Sequence, residues 1–68
     1  MDEEIFNSQL RKFLKKVGIQ SQREIEQAVR SAISSGALDA TQALTSRVVL
    51  QVPLVNVDVT IEDVIKLS

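Results

Sequence analysis

Val48-Val49-Leu50-Gln51-Val52-Pro53-Leu54-Val55-Asn56-Val57-Asp58-Val59-Thr60-Ile61 alternates apolar and other residues along most of its length. Side chains that repeat every second position share one face of a β-strand, so the stretch reads as sheet. The phase changes within it: even positions are apolar up to Val52 and odd ones from Val55. Pro53 lies at the switch and cannot donate a ladder hydrogen bond, which marks an edge, a bulge or a turn. Pro-Leu-Val lacks Gly, Asn or Asp in the middle and makes a poor turn, so a bulge that swaps the faces is the expectation. Val49, Leu54, Val64 and Ile65 fall out of phase, which predicts a sheet that is apolar on both faces.

Outward toward the C-terminus, Glu62-Asp63 reads as a turn into a short strand over 64–67. A final helical turn is the alternative, because Thr60 offers an N-cap, the two acids suit a first turn, and Val59 and Val64 are placed as a staple. Toward the N-terminus, residues 36–46 read as a connection in which Asp39 can cap a short turn.

The first half of the chain has helical spacing. Asp2 can cap a helix over about 3–17, with Glu3 and Glu4 at its positive end. Its stripe is Ile5, Phe6, Leu10, Phe13, Leu14 and Val17. Gly18 then sits where a left-handed stop is expected, with Ile19 placed to fold back on Leu14. Ser21-Gln22-Arg23-Glu24 has the form of a capping box. It opens a second helix over about 22–35, with Ile25, Ala28, Val29, Ala32 and Ile33 as the stripe and Ser34-Ser35-Gly36 as the end. The fold class predicted is therefore α+β: one domain over 1–68, an N-terminal helical hairpin, then a small antiparallel sheet of two to three strands over about 47–52, 54–61 and 64–67.

Composition removes most chemistry. The 68 residues include no His and no Cys, so disulfides, thiolate metal sites and a His-based triad are excluded. Two Gly cannot supply a phosphate-cradling loop. No catalytic, cofactor or metal residues are predicted, and the chain is not expected to be an enzyme. The net charge of −1 argues against a general nucleic-acid coat. No apolar run spans a membrane. The acidic start Met1-Asp2-Glu3-Glu4 is the reverse of a signal peptide, so a cytoplasmic location is expected.

Small domains that lack disulfides and metals lean on oligomerisation. Val48 to Leu67 carries twelve Val, Leu or Ile in twenty residues, more apolar surface than one small sheet can cover from its own chain. A homodimer through Val48, Leu50, Val52, Val55, Val57, Val59 and Ile61 is the expectation, with an unidentified protein as a further partner. The alternative is a dimeric nucleic-acid binder: Phe13 to Ala32 has the outline of a helix-turn-helix that would present Arg23, Gln27 and Arg30 to the groove.

The run Phe13-Leu14-Lys15-Lys16-Val17-Gly18-Ile19-Gln20-Ser21-Gln22-Arg23-Glu24-Ile25-Glu26-Gln27-Ala28-Val29-Arg30, with Ser35-Gly36 and the Val-rich end, resembles a family of short proteobacterial proteins of unknown function. The resemblance covers nearly the whole chain and implies a small cytosolic bacterial protein with two helices followed by strands. It carries no activity, ligand or functional residue.

Overall fold

A computed structural model describes all 68 residues: one long helix, α1 (Glu3–Ser34), then strand β1 (Ala43–Val52), a single 3-10 turn (Pro53–Val55) and strand β2 (Val57–Lys66). The class is α+β, with a two-stranded antiparallel sheet. The chain falls into two compact units, Met1–Ala37 and Leu38–Ser68.

In the first unit the expected helical hairpin is absent. Gly18, Ile19 and Gln20 continue the helix, and Ser21 is an interior helical residue rather than a cap. A mid-helix glycine costs about 1 kcal/mol relative to alanine, but it has an amide to donate and no clash with the preceding turn, unlike proline. Strong helix formers flank it on both sides (Leu14, Lys15, Lys16 before; Gln22, Arg23, Glu24 after). Continuing through it also keeps one stripe in phase: Leu10, Leu14, Val17, Ser21, Ile25, Ala28 and Ala32 follow one another by threes and fours. At 1.5 Å per residue the helix is about 48 Å long.

Both ends of α1 form as their residues dictate. The Asp2 carboxylate accepts the amides of Glu4 at 3.0 Å and Ile5 at 3.1 Å, two donors with no partner inside the helix. Glu3 and Glu4 complete an acidic first turn. At the other end Ser35 caps the helix, its hydroxyl donating to the Ala32 carbonyl at 3.2 Å. Gly36 takes φ +79 and donates its amide to Ile33 at 3.1 Å, the left-handed stop that glycine adopts without strain.

In the second unit the connection is shorter than expected and β1 begins at Ala43. Asp39 does organise a turn: its carboxylate accepts the Thr41 amide at 2.9 Å and hydroxyl at 2.8 Å, while its own amide donates to the Gln42 side chain at 2.9 Å. The bulge expected at Pro53 is instead a chain reversal. Pro53 opens the 3-10 turn with its preset φ, and Asn56 closes it in the left-handed region at φ 58, donating its amide to the Pro53 carbonyl at 3.1 Å. The residue that tolerates positive φ is thus the fourth of the connection, not a central one.

The reversal pairs Val52 with Val57 and runs in register to Ala43 with Lys66. Glu62 and Asp63 lie inside β2, so the expected strands over 54–61 and 64–67 are one strand starting at Val57, and the sheet has two strands, the lower of the two counts expected. Neither a turn at 62–63 nor a terminal helix forms.

Candidate functional site

Directly opposed residues of an antiparallel pair project to the same face. Leu44, Val48, Leu50 and Val52 therefore share a face with Ile65, Ile61, Val59 and Val57. Ser46 opposite Asp63 is the one polar pair among them. The other face carries Ala43, Thr45, Arg47, Val49 and Gln51 opposite Lys66, Val64, Glu62, Thr60 and Asp58. The sheet is thus apolar on one side and mixed to polar on the other, not apolar on both. The four-residue connection explains the phase switch: an even residue on the way out meets an odd one on the way back, so two sequence phases merge on one surface.

Six of the seven expected interface residues (Val48, Leu50, Val52, Val57, Val59 and Ile61) come together there. Val55 does not; it sits in the turn beside Leu54, which is 96% exposed. Leu44 and Ile65 extend the surface beyond the expected interface residues. Leu44 keeps the even phase of Val48 and Ile65 the odd phase of Ile61, but the sequence places the first in the expected connection and the second after the expected turn at Glu62-Asp63.

No residue of the chain is buried. Val48, Val52, Val59 and Ile61 are between 41% and 57% exposed. The half-buried strand residues, Leu44, Ser46, Leu50, Val57 and Ile65, all lie on the apolar face. The polar break in that face is satisfied locally. The Ser46 hydroxyl donates to the Leu44 carbonyl at 3.3 Å, and the Asp63 carboxylate accepts the Val64 amide at 2.7 Å. On the opposite face Arg47 Nε lies 3.5 Å from Glu62 Oε2.

Arg23, Gln27 and Arg30 follow by four and three along α1 and so share a side, but of one unbroken helix. The turn needed to present a separate recognition helix does not form. Arg30 is engaged within the helix: its guanidinium reaches Glu26 at 3.4 Å, and Gln22 donates to the same carboxylate at 2.7 Å. The Gln22 hydrogen bond, with the nearby Arg30 charge, holds the Glu26 carboxyl below its ordinary range. Shallow concavities occur beside the hairpin turn, at Gln51, Pro53, Asn56 and Asp58, and at the helix end, at Arg30, Ser31, Ser34 and Ser35. No three acidic side chains gather into a metal-binding group, and no helix is long and apolar enough to cross a membrane.

A long amphipathic helix followed by a hairpin with one apolar face defines a small α+β chain whose distinctive surface is aliphatic. Residues 1–68 match the model of a family of unknown function, DUF6494, and the chain belongs to that family. No curated protein and no solved structure matches it.

Proposed function

We propose that this chain is a cytoplasmic, homodimeric protein-interaction module that performs no catalysis, and that the apolar hairpin face lies at the contact between copies. The observation that carries this reading is the gathering of eight aliphatic residues on one face of a chain in which nothing is buried. An isolated two-stranded hairpin is marginal in water and is stabilised when its apolar face is covered. Fully burying one Val, Leu or Ile contributes about 1.5 to 3 kcal/mol. Covering the exposed half of Val48, Val52, Val59 and Ile61 therefore offers roughly 3 to 6 kcal/mol, comparable with the total stability of about 5 kcal/mol typical of marginal domains.

The absence of His and Cys from the sequence supports a role in binding rather than chemistry. The nucleic-acid alternative has lost the turn on which it rested. Light scattering over a concentration series tests the proposal. A mass near twice the chain's 7.5 kDa is expected, and a monomer at every concentration overturns it.

A further inference from the structure

Five bases of α1 have no ion-pair partner. Arg11, Lys12, Lys15, Lys16 and Arg23 fall between Glu4 and Glu24 with no acid among them, in a chain whose net charge is −1. The two ion pairs of the chain engage other bases, Arg30 with Glu26 and Arg47 with Glu62. Four of the five cluster at positions 11–16, beside the bulkiest part of the apolar stripe. There Phe6, Leu10, Phe13 and Leu14 are between 41% and 51% exposed.

Helical geometry sorts the two groups. At about 100° per residue, Phe6, Leu10, Phe13, Leu14 and Val17 fall within an arc of about 100°. Arg11 lies about 60° beyond one edge of that arc and Lys16 about 60° beyond the other, with Lys12 and Lys15 on the far side. The apolar side is therefore bordered by a base on each flank. After Val17 its character changes. Ser21 and Ala28 replace aromatic and leucine side chains, and Glu24 puts a carboxylate within the same arc.

We infer that the segment from Phe6 to Val17 docks on an anionic lipid surface, lying in the headgroup plane with its aromatic and leucine side chains turned into the acyl boundary. The inference stands on α1 alone and does not rest on the homodimer reading. No helix of the chain is long and apolar enough to cross a membrane, and a helix with a Phe- and Leu-rich side and a basic one lies along the surface instead. A planar anionic surface meets both flanks at once, as the placing of Arg11 and Lys16 requires. Their stems run along the apolar side while their charges reach the phosphates. Each base close to such a surface strengthens binding about fivefold. The apolar side chains select lipid over other polyanions. A nucleic acid would neutralise the bases through its phosphates but leave Phe6, Leu10, Phe13 and Leu14 in water.

Cosedimentation of the full-length protein with vesicles tests the inference. Vesicles of equal parts phosphatidylglycerol and phosphatidylcholine are expected to bind it about tenfold more tightly, or better, than phosphatidylcholine alone, and less tightly as salt rises. Equal binding to both compositions, or none to the anionic one, overturns the inference without reference to any variant.

Two variants separate charge from insertion. Lys15→Gln combined with Lys16→Gln is expected to weaken binding to the anionic vesicles about tenfold. Phe13→Gln, which leaves every charge in place, is expected to weaken it about fivefold or more. Glutamine is as good a helix former as lysine and better than phenylalanine, and helicity at 222 nm checks that α1 persists. Binding that falls with the two lysines but is untouched by Phe13→Gln overturns the docking and leaves a polyanion such as nucleic acid as the ligand of the bases. The mass in solution decides the homodimer reading and does not enter here, so the two proposals fail separately.

Discussion

Arg47 and Glu62 stand directly opposite each other across the hairpin, 3.5 Å apart, while the next pair along, Val48 and Ile61, projects from the other face. One residue of displacement therefore separates a solvated ion pair from the aliphatic surface. Both charged side chains are more than half exposed, so the bridge contributes little. Arg47→Ala is expected to change stability by less than about 1 kcal/mol in urea unfolding and to leave the mass in solution unchanged. Val48→Asp is expected to halve the mass and to lower the urea midpoint as well. Equal effects from the two variants would mean that the apolar face carries no contact.

The Pro53–Val55 turn depends on Asn56 holding φ 58. Asn56→Gly is expected to be neutral or slightly stabilising. Asn56→Val places a β-branched residue in the left-handed region and is expected to cost about 1 to 2 kcal/mol. Thermal unfolding followed by circular dichroism distinguishes them, and equal melting points would show that the turn takes another form in solution.

Gly18 lies in the middle of α1, and a Cβ added there would meet nothing within 4 Å. Gly18→Ala is expected to raise helicity at 222 nm and to stabilise by about 0.5 to 1 kcal/mol. A loss of helicity would instead point to a left-handed residue at this position, the stop that a helical hairpin requires.

The Asp39 carboxyl is held below its ordinary pKa by the Thr41 amide and then by the Thr41 hydroxyl. A carboxyl whose pKa falls on folding contributes stability above its unfolded pKa and loses it as the pH drops through the folded value. The Asp39–Gln42 turn is therefore expected to stay firm at neutral pH and to loosen only below about pH 4. In a carboxyl-resolved NMR titration, Thr41→Val should move the Asp39 midpoint upward, since the hydroxyl donor is gone while the amide remains. An unmoved midpoint would remove the side chain from the account.

What could be read from the sequence divides by how local the signal is. Asp2 as cap, the Ser34-Ser35-Gly36 stop, the turn at Asp39 and the strand character after Arg47 each depend on a few adjacent residues and emerged as read. Gly18 did not, because a lone glycine followed by Ser-Gln-Arg-Glu writes a stop and a start that the continuous stripe overrides. Only the phase shared by Val17, Ser21 and Ile25 across that junction distinguishes one helix from two. The hairpin was missed for a related reason. The residue permitting reversal, Asn56, is the last of the four connecting residues, whereas turn chemistry is ordinarily written in the middle ones. Once the chain is reversed, the two apolar phases that suggested a double-faced sheet belong to one face. The candidate interface residues were identifiable from alternation alone, but their common side was not.

The register of β1 on β2 also limits how this chain can change over time. Opposed residues share a face whatever the length of the turn between them, so the Pro53–Asn56 tip can gain or lose residues while Val52 still meets Val57. Loss or gain of a single residue within either strand, without a bulge to absorb it, would turn the rest of that strand over and carry its aliphatic side chains to the side of Arg47 and Gln51. Length variation is therefore expected to collect at the tip and to be excluded from the strands, a constraint written in spacing rather than in any particular side chain.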